Sequence, residues 1–331
     1  MRNLASLLAL AGLALAIALF ARDNAASIFT QVVAASPGLL LAAVFHVLPM
    51  TANARAWQRL LPRAQRPPMR VVTFASWLRE SVNGLLPVAR IGGEIVAYRV
   101  VRRHVALRED AAASLVVDMG LSVLSQAGFA LFGLALLFAS GRTSTAASQL
   151  LWGIGAAVAL GAAFVVAQRA GALGALTGTL NHLFAGRLGV VHEQSLRFDE
   201  ALRGIHRRRK DLVACLAWQL FAWLLGAGEL WLALHFLGRP RGILDAVALE
   251  ALIQAVSSAA FVVPAALGVQ EAAFLVVGAM LGIDGTTALA LASARRLRDI
   301  VIFLPGLVAW HFSETQLRTD EMTSPSPPGE R

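Results

Sequence analysis

The sequence predicts an all-α fold, a polytopic membrane helix bundle of about six transmembrane helices plus two re-entrant broken helices related by an inverted repeat. Three observations carry this expectation. Of 331 residues, 57% are hydrophobic and only 15% charged, against about 25% charged in an average soluble domain. Mean hydropathy is +0.65, and several apolar stretches reach the length of about 18 residues that reads as a membrane span. Two such stretches are broken near their middle by proline and glycine at matching positions. A water-covered globule is excluded, because the polar groups are too few to clothe one.

The spans follow in order. Residues 4–20 come after Arg2 and have the outline of a signal peptide, but no small-x-small cleavage site precedes Arg22, so they read as a retained helix. Residues 28–50 contain Pro37 and Gly38, which bend membrane helices without forbidding them. Next come Arg55, Arg59, Arg63, Arg66 and Arg70 with no acid among them, a segment the positive-inside rule assigns to the cytoplasm together with the N-terminus. Residues 111–139, 146–168, 212–237 and 286–312 are each long enough to cross about 30 Å of hydrocarbon. Residues 71–94 and 243–281 are the broken regions. If each enters and leaves on one face, Arg99, Arg102, Arg103 and Arg108, then Arg203, Arg207, Arg208, Arg209 and Lys210, all fall inside. Only the isolated Arg22, Arg142, Arg239 and Arg241 fall outside. Eight short crossings are the alternative. The expected organisation is one membrane domain over residues 1–312, with repeat halves near 71–140 and 248–312, and a disordered polar tail over 313–331. Both termini are expected in the cytoplasm.

The repeat rests on particular residues. Leu-Leu-Pro-Val-Ala-Arg-Ile-Gly-Gly-Glu at 85–94 falls, at an offset of 177, on Val-Val-Pro-Ala-Ala-Leu-Gly-Val-Gln-Glu at 262–271. Pro87 meets Pro264, Glu94 meets Glu271, and Ser81 meets Ser258. The same offset sets Asp118 opposite Arg295. Pro87, Gly92, Gly93, Pro264 and Gly268 are the expected hinges: proline stops a helix, glycine lets the chain turn, and the acid sits where a new helix begins. Alanine matches are cheap in such a chain, so the proline and glutamate spacings carry the comparison. Three crossings separate the copies, which sets the second upside down relative to the first.

Some charges cannot escape to water. Arg79 and Glu80 lie in the first broken helix, Asp118 about two turns into its span, Glu229 well inside another, and Arg295, Arg296, Arg298 and Asp299 interrupt the last. Each charge near the bilayer centre costs on the order of 3 kcal/mol, so several together point to a polar interior path. Arginine offers a planar fork suited to phosphate or carboxylate. Arg79, Arg90, Arg295, Arg296 and Arg298 are therefore the candidate headgroup ligands. Glu80, Glu94, Asp118, Glu229, Glu271 and Asp299 are the structural or coupling acids. A plainer alternative pairs Arg295 with Asp299, four residues on, and lets Arg296 and Arg298 snorkel to the interface.

Enzyme chemistry finds little support. The seven histidines never occur at i,i+3 or i,i+4 spacing, and no phosphate loop, nucleophile elbow or dinucleotide fingerprint is present. Cys215 is the sole cysteine, which excludes an intrachain disulfide. No metal, cofactor or nucleic-acid partner is expected, and the net charge of +9 reads as topology rather than nucleic-acid binding. The basic segment over residues 169–211 reads as an amphipathic stretch on anionic headgroups.

At Ser-Val-Asn-Gly-Leu-Leu-Pro-Val-Ala-Arg-Ile-Gly-Gly-Glu, residues 81–94, followed by Val116-Val117-Asp118, the chain resembles a hopanoid-biosynthesis-associated membrane protein family. That family sits within a larger group similar to the transmembrane, flippase-like region of lysylphosphatidylglycerol synthases. Gly268-Val269-Gln270-Glu271-Ala272-Ala273 and the later Arg295-Arg296-Leu297 resemble the group's second signature. The resemblance implies a multi-pass protein of the bacterial inner membrane that moves a hopanoid or a phospholipid between leaflets. In the synthases this region precedes a soluble aminoacyl-transferase domain; here the chain ends soon after the last span, so that activity is expected to be absent. The alternative is a non-catalytic scaffold whose basic inner loops recruit lipid-biosynthesis enzymes.

Overall fold

The computed structural model describes residues 25–86, 92–141, 189–259 and 268–323, with isolated positions at 18, 163, 166–168 and 170. Among the described residues all regular structure is helical. Helices α1 (Ala25–Ala34), α2 (Ser36–Phe45) and α3 (Val47–Leu60) form one stepped rod. Its steps fall at Ala35 and His46, both still helical in φ and ψ. Pro37 and Pro49 follow within one turn of the steps, and each lacks the N–H that would bond back across it. The expected span ends at residue 50, whereas α3 runs on to Leu60, so Arg55 and Arg59 sit on a helix rather than in a loop. Nothing between Thr51 and Leu60 breaks a helix; the stop comes at Leu61, whose backbone is extended before Pro62.

Two hairpins follow the expected broken regions. Helix α4 (Met69–Leu85) is followed by α5 (Gly92–Val101), which runs back along it: Gly93 lies beside Asn83, and Ala97 and Val101 cluster with Ala75 and Val72. Pro87 and Arg90 lie outside the described residues. After α6 (Arg108–Ala139), α7 (Gly189–Arg207) and α8 (Arg209–Phe236) comes the second hairpin, α9 (Ile243–Ala259) with α10 (Val269–Met280) packed on it. Pro264 also lies outside the described residues. At 1.5 Å per residue, α5 and α10 span only about 15–18 Å, too little to cross the hydrocarbon. The chain closes with α11 (Gly285–Arg298), a π turn at Asp299–Phe303, and α12 (Leu304–Thr323). The helix thus continues past residue 313, where the polar tail was expected to begin; residues 324–331 lie outside the described residues.

Three described helices are long and apolar enough to cross a membrane: Ser36–Leu60, α6 and α8. The spans expected at 4–20 and 146–168 fall outside the described residues apart from the isolated positions. The final segment is interrupted by its charges and by the π turn. Contacts between hairpins and spans are reciprocal: α6, which follows the first hairpin, packs on α9, while the π turn and α12, which follow the second, pack on α4. Small residues permit this closeness. A Cβ added at Gly133 of α6 would lie 2.5 Å from the Ala251 methyl of α9, and one at Gly306 of α12 would collide with Ser81 of α4. Phe29, Leu41, Val213 and Phe221 face outward from α1, α2 and α8, while Asp118, Glu250, Glu271 and Arg295 are buried. Apolar outside and charged inside is the arrangement that lipid solvates. On its buried face, α7 packs Leu202 and Ile205 against Val117 of α6 and Cys215 of α8, and it leaves Arg197, Arg203 and Arg207 exposed.

Candidate functional site

The buried charges gather in three places. In the first, Arg79 of α4 donates from Nη1 to Asp118 Oδ2 of α6 at 2.9 Å and lies 3.7 Å from Glu94 Oε2 of α5. Its guanidinium stacks over the Trp57 ring at 5.6 Å. Gln219 of α8 donates to Asp118 Oδ1 at 3.0 Å. Asn83 holds the hairpin closed by accepting from the Gly93 N–H at 2.9 Å and donating to Glu94 Oε1 at 3.4 Å. Gly93 is needed here for space, since an added Cβ would lie 2.3 Å from the Arg79 carbonyl oxygen. Gly92 opens α5.

In the second place, Arg295 of α11 donates to Glu250 of α9 and lies over the Phe274 ring of α10 at 5.2 Å. Glu250 also accepts from Gln254 at 2.9 Å, and Gln126 of α6 donates to the Gln254 carbonyl at 3.0 Å and to Ser258. Arg296 donates from Nε to Glu271 Oε1 at 3.0 Å and lies 3.9 Å from Asp299. Glu271 stands in the first turn of α10, just after Gly268, whose φ of 74° is the left-handed conformation that glycine adopts freely.

The third place joins the two halves. Arg298 donates to Glu229 of α8 at 3.2 Å and to Asp299 at 3.0 Å. Glu229 is also 2.7 Å from Nδ1 of His46, at the step between α2 and α3, and His46 Nε2 is 3.4 Å from Glu80 of α4. Phe303 of the π turn lies edge-on to the His46 ring at 5.7 Å, and Trp77 of α4 donates to the Ile302 carbonyl at 2.7 Å.

Every predicted headgroup arginine among the described residues thus faces a carboxylate. Arg295 pairs with Glu250 on another helix rather than with Asp299 four residues on, which pairs with Arg298 and Arg296. Arg79 and Arg295 belong to separate clusters. Glu250 and His46 were missed by sequence reasoning. Glu250 carried a signal, an acid in the second turn of an apolar helix; the partners of His46 come from α4 and α8, and spacing along the chain does not reveal them. Apart from these clusters, Asp211 is 1% exposed and gathers Arg59, Arg63 and Arg208. A cleft of about 600 Å³ lies apart from these clusters, between α1 and the start of α11, lined by Gln31, Arg239, Asp284 and Thr287 among others.

The family described as the lysylphosphatidylglycerol synthase TM region matches residues 4–306. The chain belongs to this family. No curated protein and no solved structure matches it. Membership of the lysylphosphatidylglycerol synthase TM family makes this a membrane protein with a lipid-related function, in line with its apolar helices. All three charge clusters lie within the part of the chain that this family covers.

Proposed function

We propose that the protein is a flippase-like lipid transporter of the bacterial inner membrane, moving hopanoids or lipids with anionic or polar headgroups between leaflets. One observation carries the reading: two broken-helix hairpins bring buried arginines and acids together inside an apolar exterior. Charge at membrane depth faces a bundle interior or a water-filled cavity and marks substrate paths. The inverted repeat supports the same reading. Both α5 and α10, and both α6 and α11, begin 177 residues apart, at 92 and 269 and at 108 and 285. α6 packs on the first limb of the second hairpin, and the π turn and α12 that continue α11 pack on the first limb of the first. In such an architecture the two halves exchange conformations and thereby exchange the open side.

A headgroup phosphate or carboxylate enters by taking the arginine fork of Arg79 or Arg295 from its resident carboxylate. The tails stay in lipid throughout. Charge sidedness supports a topology with both termini in the cytoplasm and both hairpins re-entrant. Reconstitution with labelled lipids tests the reading: label should cross the bilayer faster than in empty vesicles. Unchanged crossing for anionic lipids and hopanoids alike overturns it. Cysteines introduced at Gly92 and Gly268 in a Cys215→Ser background test the inversion, which requires labelling from opposite sides.

The exposed Arg203, Arg207, Arg209 and Lys210 favour a second reading, a scaffold that recruits lipid-biosynthesis enzymes. Neutralising Arg207, Arg209 and Lys210 then abolishes function in cells while lipid movement in vesicles persists. Arg208 is left intact in this test because it donates to the Leu60 and Leu61 carbonyls.

A further inference from the structure

The His46 cluster holds a proton count that the headgroup arginines do not require. A neutral imidazole has one N–H donor and one bare acceptor nitrogen. Here both ring nitrogens face carboxylates, Nδ1 at 2.7 Å from Glu229 and Nε2 at 3.4 Å from Glu80. Glu229 is bound by Arg298 on its other oxygen, so it is the ionised acceptor and Nδ1 carries the hydrogen. Two arrangements then satisfy the Nε2 contact. Either the imidazolium donates to the Glu80 carboxylate, or the Glu80 carboxylic acid donates to a bare Nε2. Both hold one proton more than neutral His46 beside ionised Glu80, where two lone pairs would face each other.

The surroundings make that proton exchangeable and consequential. The charged groups facing His46 are Glu80 from α4, Glu229 from α8, and Arg298 with Asp299 where α11 meets the π turn. From α6, which packs on α3, Asp118 is engaged by Arg79 instead. Asp299 is also approached by Arg296 at 3.9 Å, so Glu80 is the carboxylate whose charge the proton balances, whether it sits on His46 Nε2 or on Glu80 itself. The side chains of His46 and Glu80 are 14% and 22% exposed. His46 lies ten residues beyond Ser36 in the Ser36–Leu60 span, about 15 Å along the helix and thus near its middle. Glu80 follows Arg79 directly on the first limb of hairpin α4–α5. Loss of the proton turns attraction between α4 and the His46 step into repulsion, and the limb it releases carries a headgroup arginine.

We propose that His46 and Glu80, backed by Glu229, form a binding site for a single exchangeable proton, and that its release and uptake drive movement of the first hairpin. The consequence for transport rests on the function proposed above; the proton site itself does not. Low pH loads the site and high pH empties it, so lipid movement is coupled to proton movement.

The full-length protein in phosphatidylglycerol-containing vesicles, with labelled phosphatidylglycerol as probe and a pH difference imposed in either direction, tests both levels. The expected result is a several-fold difference in net lipid movement between the two directions, lost in His46→Gln and in Glu80→Gln. Nitrogen NMR of histidine-labelled protein in the same membranes, with the His46 signal identified through His46→Gln, reads the proton directly. It should show a single protonation step shared by the pair, altered in Glu80→Gln. Lipid movement that is equal in both directions overturns the coupling. If wild-type lipid does not move at all, the transport reading falls and the site is decided by NMR alone: a shared protonation step at the pair supports it, and a His46 Nε2 signal that changes with pH neither by protonation nor by gain or loss of a hydrogen bond from Glu80 overturns it. The spectroscopic arm uses the wild-type protein, so a variant that fails to fold does not decide the outcome.

Discussion

The two hairpins share a frame and differ in their charges. Their first limbs are 17 residues each, their second limbs 10 and 12. In the first, the arginine rides on the hairpin, Arg79 on α4, and its closest acid, Asp118, stands on the following span. In the second the roles are exchanged: Glu250 rides on the hairpin and Arg295 stands on the following helix. Two hairpins of similar length therefore differ in their electrostatics; what they share is an ion pair bridging first limb and following helix.

Partner number is a sharper difference between them, and mutations can probe it. Arg79 has two carboxylates, Asp118 and Glu94, whereas Arg295 has Glu250 and leaves Nη1 without a hydrogen-bond acceptor among the described residues. Glu250→Ala strands a buried cation and should lower stability by about 3–5 kcal/mol, read from unfolding in detergent. Asp118→Ala leaves Glu94 behind and should cost less, about 1–3 kcal/mol; equal losses would show that the two hairpins are electrostatically alike after all.

Glycines mark a second contrast. Gly93→Ala pushes a methyl onto the Arg79 carbonyl and should cost about 1–3 kcal/mol by overpacking. At Gly268 the demand is conformational, so Gly268→Ala should cost about 1–2 kcal/mol. Gly93→Ala should in addition loosen the Asn83–Glu94 contact, which disulfide trapping across α4 and α5 would report as slower cross-linking. The smallest effect is expected at Trp77→Phe, which removes the hydrogen bond between α4 and the π turn for about 1 kcal/mol. A Trp77→Phe variant as damaged as Glu250→Ala would mean that the first hairpin depends on this joint more than on its ion pairs.

How much of this was legible follows from what each feature needs. Arg79, Arg295, Arg296 and Arg298 stood out because a charge within an apolar run is conspicuous without any knowledge of its partner. Glu94 and Glu271, matched by spacing in the sequence, both stand in the first turn of a hairpin's second limb, while Pro87 and Pro264 lie outside the described residues. The extension of α3 to Leu60 was lost because the arginines were read by sidedness, and an arginine near a helix end satisfies the same rule. Glu250 and His46 needed the fold. Glu229 is 183 residues from His46, and Glu250 is 45 residues from Arg295, so only helix packing brings either pair together.

The single cysteine offers something beyond packing. Cys215 is fully buried on α8, with its sulfur 4.0 Å from Asp118, beside the ion pair that closes the first hairpin. A thiol in that position meets a reagent only when α6, α8 and the hairpin part. Its alkylation rate therefore acts as a native clock, counting excursions from the closed arrangement without an engineered label.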